Sequence, residues 1–269
     1  METTRSHLLV WTQGGSGLSP PSRAATKLLI LSTTSMVRSP FLPSCLPASL
    51  PALRQPASEP ACLPACCLPP VSRQSSRPFP LGGYFSFRDC TINGNDFGKV
   101  HEGFCWYYQN LESVGLMTDF VQLSEQYPTF TPMITGHSLG AAAAVLSAYD
   151  FSLRSGKTPT LYTYGQPRVG DYKFAGKVDD ATSAYRVVHA SDWVAHLAPC
   201  CALVGSCKQV TACPYHTDNM IWYNNDMSDS TDFKKCDGGE DQSCNNWIDM
   251  SVDDHLHYFN VELGEYCCF

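Results

Sequence analysis

The chain has 269 residues, of which 43% are apolar, so it is long enough for one large domain or two small ones with a buried core. Its 18 basic and 25 acidic residues give a net charge of −7, which argues against general binding to nucleic acid. The longest apolar runs, Leu28–Leu31 and Ala141–Leu146, fall far short of the roughly 18 residues that a membrane span needs. The composition therefore predicts neither a nucleic-acid-binding protein nor an integral membrane protein.

The composition changes near residue 80. Residues 1–80 contain 13 of the 19 prolines, no tyrosine, and seven basic residues against two acidic ones. Because proline recurs every three to five residues through much of this stretch, it disfavours a helix or a strand ladder. We expect residues 1–79 to be a disordered, low-complexity leader without a fold, with a polyproline II ligand or linker as the alternative. Residues 80–269, which hold all 13 tyrosines, are predicted to form the globular domain.

Helix and strand patterns alternate in the globular part. Apolar residues on one face predict an amphipathic helix over Tyr107–Tyr127. A short strand is expected at Thr131–Thr135, and the small-residue run after Ser138 favours a tightly packed helix. Two further buried strands are predicted at Leu161–Tyr164 and Tyr185–Val188. This alternation is typical of an α/β fold with a largely parallel sheet.

A nucleophile motif lies between the first of these strands and the helix after it. Gly136, His137, Ser138, Leu139 and Gly140 form G-x-S-x-G in the strand–turn–helix context that a nucleophile elbow requires. The sharp turn strains the serine backbone and leaves room only for small residues two positions before and after it. We therefore expect Ser138 to be the nucleophile. The Leu139 backbone N–H, at the positive end of the following helix, is expected to bind the oxyanion.

A serine hydroxyl is a weak nucleophile that needs a histidine base, and the histidine needs a carboxylate to orient it and stabilise its cation. In hydrolases with this motif, the acid and then the histidine follow the serine along the chain. Asp192 comes four residues after the strand predicted at Tyr185–Val188, at the carboxyl end where such sheets place their sites. Asp192 is therefore the predicted acid.

Five histidines follow the motif and compete for the role of the base. His189 and His196 lie so close to the predicted acid in sequence that we expect them to be structural, and His216 lies in a cysteine-rich stretch. His255 and His257 could both reach the site from a late loop. Spacing alone leaves these two alternatives open.

Five segments occur in a set order along residues 98–269. They are KVHEGF (99–104), ITGHSLGAAAA (134–144), YTYGQPRVGD (162–171), SDWVAHLAP (191–199) and DDHLHYF (253–259). Their sequences and order resemble the class 3 lipases, the fungal-type triacylglycerol lipases. The resemblance implies an α/β-hydrolase fold and a lipid ester substrate.

The resemblance also implies roles for individual residues. The catalytic histidine of the family opens the H-L-x-Y-F segment, which selects His255 as the base and leaves His257 as a flanking residue. Ser138 corresponds to the nucleophile and Asp192 to the orienting acid. Three other polar residues of the matching segments are predicted to be structural: His101, His137 (packed beneath the site) and Arg168.

The resemblance has a gap at its amino-terminal end. The family's second oxyanion donor is a serine or threonine after a strand that ends in F-R-G, with a lid helix beyond it. The most similar stretch, YFSFRDCT (84–91), has Asp89 where the glycine is expected and leaves only a short gap to Lys99. A second stretch, RQSSRPF (73–79), has no predicted strand before it. We name no second donor. We expect the domain to lack the family's first strands, residues 1–79 to replace them, and one sheet edge to be unpaired.

The 14 cysteines indicate the cell compartment. Ten of them lie in the globular part, which favours disulfides and an oxidising, extracellular setting. A secretory signal is not visible, because Leu8–Trp11 supplies only four of the about 7 to 15 apolar residues it requires. No N-x-Ser/Thr glycosylation sequon is present either.

Disulfides are preferred over a metal site for these cysteines. The family resemblance favours a bridge between Cys236 and Cys244, and Cys267 or Cys268 could tie down the carboxyl terminus. The alternative is a zinc site, which lacks both a C-x-x-C pair and the usual histidine spacing. Its candidate ligands are Cys200, Cys201, Cys207, Cys213 and His216.

The sequence therefore predicts a serine hydrolase that cleaves acylglycerols at a lipid–water interface through an acyl-enzyme, without a metal or cofactor. A phospholipase, or an esterase for soluble acyl or feruloyl esters, is the alternative within this class. The alternative from another class is a catalytically impaired lipase-like protein that binds lipid or a protein partner. A redox or metal protein built on the cysteines is a third alternative.

Overall fold

The computed structural model describes residues 9–11, 26–31, 86–198, 207, 209–244 and 250–263, the first two segments through their backbone alone. Short 3₁₀ turns at Val194–His196 and Gln242–Cys244 connect some of the elements. In chain order the elements are β1 (Leu9–Trp11), β2 (Thr26–Leu31), β3 (Phe87–Ile92), β4 (Asn95–His101), α1 (Glu102–Ser113), α2 (Leu116–Gln126), β5 (Thr131–His137), α3 (Leu139–Ser155), β6 (Thr160–Tyr164), β7 (Gly170–Asp171), α4 (Tyr172–Ala181), β8 (Ser183–His189), β9 (Pro214–Tyr215), β10 (Met220–Tyr223), β11 (Lys234–Lys235), α5 (Val252–Leu256), β12 (His257–Tyr258) and β13 (Val261–Glu262).

The central sheet has seven strands in the order β1-β2-β5-β6-β8-β10-β11. The five inner strands, β2 to β10 in that order, are parallel, whereas β1 and β11 pair antiparallel at the two edges. A four-stranded antiparallel sheet, β3-β4-β7-β9, and the short hairpin β12-β13 complete the strands. The predicted α/β class with a mostly parallel sheet is confirmed, as are the three predicted strands that became β5, β6 and β8.

The main core lies between the central sheet and its helices. Helix α3 packs against β5 and β6, and its residues from Gly140 to Phe151 are all buried. The four alanines at its start let the helix approach the sheet closely, because they add little side-chain volume. On its other side α3 packs against α1, α2 and α4, with Tyr108, Phe120 and Phe174 in the same core. Within the part of the chain that the structure describes, no helix is long and apolar enough to cross a bilayer.

The single helix predicted over Tyr107–Tyr127 is wrong. Two helices, α1 and α2, occupy this stretch. The helical conformation is interrupted between them at Gly115, which has a φ of +87°. The Gly115 N–H donates to the carbonyl of Glu112, which ends α1 with glycine in the left-handed conformation. The apolar periodicity continued across this break and concealed it.

The hairpin β3–β4 was not predicted. Its turn consists of Asn93 and Gly94, which have φ values of +49° and +84°. Asn-Gly favours this turn because both residues adopt positive φ at little cost. A disulfide between Cys90 and Cys105 joins the hairpin to α1.

Two segments within residues 1–79 lie in strands of the central sheet. Strand β2 pairs in parallel with β5, with Leu31 opposite Gly136, and β1 pairs antiparallel with β2. The run KLLIL suits a strand inside a parallel sheet, where both faces are covered. The edge of β5 that was expected to be unpaired is therefore paired. The remainder of residues 1–79, together with its predicted disorder, lies outside the described residues.

The disulfides connect elements that are distant or loosely held. The predicted bridge between Cys236 and Cys244 is confirmed, whereas the bridge between Cys90 and Cys105 was not foreseen. Cys207 is also disulfide-bonded. Cys267 and Cys268 lie outside the described residues.

We expect the double variant C90A/C105A to lower the free energy of unfolding by about 3 kcal/mol, because the bridge closes a 15-residue separation and restricts the unfolded chain. The matched variant C236A/C244A opens an eight-residue separation and should lose about 2.5 kcal/mol. Urea unfolding monitored by tryptophan fluorescence measures both values. A change below about 1 kcal/mol in C90A/C105A would contradict the stabilising role of the first bridge.

Candidate active site

Ser138 lies at the tight turn between β5 and α3. Its φ of +57° and ψ of −125° are strained for a residue with a side chain. The turn is held by the Ser138 N–H, which donates to the carbonyl of Tyr164 at 3.0 Å. A Cβ atom at Gly136 would come within 2.2 Å of the Gly140 carbonyl oxygen, so the turn requires glycine there. This turn conformation places the Ser138 hydroxyl beyond the end of β5, as the motif predicted.

The structure brings the three predicted side chains into one hydrogen-bonded row. Ser138 Oγ lies 2.8 Å from His255 Nε2, and His255 Nδ1 lies 2.9 and 3.0 Å from the two carboxylate oxygens of Asp192. Asp192 is fully buried and His255 is 6% exposed. His257 instead contacts the Asp253 carbonyl in its own helical turn, at 3.0 Å. Of the two histidines left open by spacing, only His255 therefore reaches Ser138.

Asp192 is surrounded by hydrogen-bond donors. Its Oδ1 accepts from the Val194 N–H at 2.8 Å, and its Oδ2 accepts from the Tyr258 hydroxyl at 2.7 Å. Burial raises the pKa of Asp192, but the hydrogen bond and charge of His255, together with the Tyr258 hydroxyl, outweigh it and lower the pKa below its usual value. Burial and the Asp192 charge raise the pKa of Tyr258 well above its usual value, so Tyr258 stays protonated as a donor.

His137 packs against the catalytic-base candidate. Its ring stacks on that of His255, with centroids 4.5 Å apart, and its Nε2 lies 2.8 Å from the His255 carbonyl oxygen. Because a carbonyl oxygen only accepts hydrogen bonds, Nε2 carries the proton. Burial, followed by the charge of His255, lowers the pKa of His137 to about 4. His137 is therefore neutral near pH 7 and supports His255 from one side.

Two residues of the site escaped the sequence analysis. Gly165, just beyond β6, has a φ of +56°, and a Cβ atom there would lie 2.5 Å from Asp192 Oδ2 and 2.9 Å from His255 Nδ1. Only glycine leaves room for the pair of side chains. Tyr258 was the second omission, although it is the tyrosine of the H-L-x-Y-F segment. A search for polar donors near the predicted acid and base could have found it.

Leu139 is the first residue of α3. The first amide groups of a helix have no acceptor within it, and they point towards the positive end of the helix dipole. The Leu139 N–H follows directly after Ser138 at this end of the helix.

The other residues predicted to be structural have partners of their own. His196 Nδ1 contacts the Asp192 backbone carbonyl at 2.8 Å, and His101 is buried between Phe87 and Phe104. Arg168 is buried and forms an ion pair with Glu240 at 2.7 Å. The Arg168 ion pair joins two segments that are far apart in sequence.

Three of the five candidate zinc ligands have other partners, and Cys200 and Cys201 lie outside the described residues. Cys207 and Cys213 are disulfide-bonded and offer no thiolate, and His216 is buried with its Nδ1 2.9 Å from Glu240. Burial, followed by the charge of Arg186, lowers the pKa of His216 to about 3. Among the residues described, one other metal-like grouping occurs, and two of its three members form a disulfide: Cys236, Asp241 and Cys244.

Comparisons with known proteins agree with this geometry. A family model described as Lipase (class 3) matches residues 82–202. A lipase of Rhizomucor miehei is 36% identical over 173 residues, which cover 62% of this chain and 44% of the relative. The secreted mono- and diacylglycerol lipase 1 of Fusarium solani is 32% identical over 166 residues, covering 60% of this chain and 46% of the relative.

A solved structure is similar as well. A fungal lipase in complex with an inhibitor matches with a TM-score of 0.55 and 30% identity, over 68% of this chain and 67% of the other. The chain spans about half the length of the curated relatives it matches.

We expect Gly165→Ala to slow labelling of Ser138 by a fluorophosphonate probe by on the order of 100-fold, because the new methyl group displaces Asp192 and His255 by the order of 1 Å. Gly176→Ala is the matched control, since nothing lies within 4 Å of a Cβ atom at that position in α4. The control should label at the wild-type rate. Wild-type labelling of a folded Gly165→Ala variant would contradict the required close approach.

His137 should make the protein less stable in acid. The pKa of His137 is about 4 in the folded state against 6.5 ordinarily, so the unfolded chain binds more protons between these two values. The folded protein therefore keeps its full stability above pH 6.5 and loses stability as the pH falls towards 4. The loss in the free energy of unfolding is up to about 3 kcal/mol.

The measurement is urea unfolding of the wild type and His137→Asn at pH 7 and pH 4. The wild type should lose more of its free energy of unfolding between pH 7 and pH 4 than His137→Asn does, because asparagine does not titrate. The two losses should differ by up to about 3 kcal/mol. Parallel pH curves for the two proteins would show that His137 is not held neutral by burial.

Proposed function

This chain belongs to the class 3 lipase family, and from that premise we propose that it is a serine carboxylic ester hydrolase that cleaves acylglycerols through an acyl-enzyme. The observation that carries the proposal is the continuous hydrogen-bonded row from Ser138 through His255 to Asp192. It supplies a nucleophile, a base and a buried anion in the order that acyl transfer requires.

Each side chain has one chemical task in the proposed reaction. Ser138 Oγ attacks the ester carbonyl carbon while His255 Nε2, 2.8 Å away, accepts its proton. Asp192 accepts from His255 Nδ1, which selects the tautomer with a free Nε2 and stabilises the imidazolium. His255 then returns the proton to the departing alcohol. A water molecule repeats the sequence on the acyl-enzyme and releases the fatty acid.

The Leu139 N–H is the proposed oxyanion donor. Its place at the start of α3 directs a backbone dipole and the positive end of the helix at the developing charge. A single missing donor of this type costs on the order of 100- to 1000-fold in turnover, so the donor matters as much as the triad geometry.

The proposed substrates are acylglycerols at a lipid–water interface. The family supports this assignment, as does the name of the Fusarium solani relative, a mono- and diacylglycerol lipase. Three apolar side chains close to His255 in sequence are more than half exposed, namely Met250, Val252 and Val261, at 61%, 58% and 52%. Exposed apolar side chains in the segments that flank the base in sequence favour contact with lipid over contact with water.

We propose that the protein acts outside the cell. Cys90–Cys105 and Cys236–Cys244 are disulfides, which persist in oxidising compartments, and the Fusarium solani relative is named as secreted.

The proposal predicts that the full chain hydrolyses an emulsified long-chain triacylglycerol and that its rate rises above the solubility limit of the substrate. Ser138→Ala should abolish both hydrolysis and fluorophosphonate labelling. Asp192→Asn should lower kcat by on the order of 10⁴-fold, because the histidine then adopts the wrong tautomer. Fatty acid release at constant pH measures the rates.

Other outcomes favour the alternatives. Hydrolysis limited to soluble short-chain esters, without a rise above the solubility limit, favours an esterase. Faster release from phospholipid vesicles than from triacylglycerol favours a phospholipase. A folded protein that neither labels nor hydrolyses any ester would contradict the enzyme proposal and favour a lipase-like binding protein.

A further inference from the structure

The element that carries His255 is too short to hold its own position. Helix α5 has five residues. The last four carbonyl groups of any helix receive no hydrogen bond from an N–H group of the same helix. An isolated helix of this length is unstable in water. The position of His255 therefore depends on the groups that hydrogen-bond to the carbonyls on either side of it.

The central sheet supplies two of these groups, each from the carboxyl end of a strand. His137, at the end of β5, contacts the carbonyl of His255 itself. His189, at the end of β8, contacts two carbonyls on either side of His255, those of Asp254 and His257. Its Nδ1 lies 2.6 Å from the His257 oxygen and 3.1 Å from the Asp254 oxygen.

His189 is buried, with 8% exposure, and its second ring nitrogen has a different partner. Nε2 lies 2.9 Å from the carbonyl oxygen of Asn225, in the loop after β10. Since carbonyl oxygens only accept, a hydrogen bond to α5 requires a proton on Nδ1 and one to Asn225 requires a proton on Nε2. The contact with α5 therefore needs a proton on Nδ1, which the cation and one of the two neutral tautomers carry.

The backbone of His189 joins the same assembly. Its N–H donates to the Tyr258 hydroxyl at 3.2 Å, and that hydroxyl donates to Asp192 Oδ2 at 2.7 Å. The end of β8 is thus connected to the acid through Tyr258 and to the segment carrying the base through the His189 ring.

Other contacts hold the segment on the amino-terminal side of His255. The Ser251 N–H donates to the Ser191 carbonyl at 2.8 Å, and the Ser191 N–H donates to Asp254 Oδ2 at 2.9 Å. These bonds do not involve the His189 ring. Loss of the ring should therefore leave α5 attached while allowing His255 to shift relative to Ser138.

We infer that His189 is a positioning residue for the base, and that its Nδ1–H holds the Asp254 and His257 carbonyls so that His255 Nε2 stays within reach of Ser138 Oγ. The inference rests on the proposed function, in which His255 is the base. It goes beyond the structural role that the sequence suggested for His189, because it assigns one ring nitrogen to one segment.

Three substitutions separate the two ring contacts. In His189→Asn the side-chain amide nitrogen takes a place close to that of Nδ1 and can still donate to α5, but it does not reach Asn225. In His189→Gln the amide extends towards the place of Nε2, so the Asn225 contact is kept and the α5 contact is lost. His189→Ala removes both contacts.

Ester hydrolysis by the full chain gives the first test, with a soluble short-chain ester as the probe. We expect His189→Asn to keep kcat within about 3-fold of the wild type, and His189→Gln and His189→Ala to lose on the order of 30- to 100-fold, with KM changed less than about 2-fold. The control is Gly176→Ala in α4, where nothing lies within 4 Å of an added Cβ atom. The control should retain wild-type kcat and KM.

A proton NMR measurement tests the same inference without substrate. The His255 Nδ1–H that is bound to Asp192 should give a low-field resonance in the wild type, in His189→Asn and in Gly176→Ala. The resonance should broaden or vanish in His189→Gln and His189→Ala. Nitrogen NMR of the wild type should show a proton on His189 Nδ1 across the pH range of activity.

Several results would overturn the inference. Equal kcat values for folded His189→Asn and His189→Gln would show that the α5 contact has no special role, and an unprotonated His189 Nδ1 in the folded wild type would do so even if no variant folded. A wild type without esterase activity contradicts the proposed function instead, and the NMR comparison still decides the positioning role.

Discussion

The site depends on one buried carboxylate. Asp192 has no exposed surface, and a carboxylate in that position is stable as an anion only if donors surround it. His255 in α5, Tyr258 in β12 and Val194 in the turn after β8 provide those donors. Each donor must be held to within a few tenths of an ångström, so the anion ties together segments that are 60 residues and more apart. His255, the proposed base, acquires its orientation from the same requirement.

The parallel sheet meets this requirement because its strands end at one edge. β5 delivers Ser138 and His137 there, β6 delivers Gly165, and β8 leads to His189 and Asp192. The close packing at this edge leaves no space for a side chain at position 165 or at position 136. His137 and His189 then connect two strand ends to the carbonyls of His255 and Asp254 in α5, so that a five-residue helix is held by the sheet rather than by its own hydrogen bonds.

The sequence predicted some elements of the fold and not others. Strands β5, β6 and β8 and helix α3 followed from short apolar and small-residue runs, because such runs bury themselves in one way. The break at Gly115 was missed because the apolar period continued through it, and the Asn93-Gly94 turn was overlooked within a stretch compared only with a family pattern. Strand β2 was missed for another reason: a proline-rich average hid the five consecutive residues KLLIL.

The sequence by itself determined the nucleophile and the acid as candidates, because the elbow needs glycines at set distances from Ser138 and the acid follows a recognisable strand. From the residues alone it did not choose between His255 and His257, and only the resemblance to a family preferred the first. The tertiary structure decides between them because a histidine acts as a base only within about 3 Å of its serine, and residues 117 positions apart reach that distance only through folding. The same holds for Gly165, Tyr258 and His189. Their importance arises from atoms that approach them across the sheet edge, and no local pattern in the chain records such an approach.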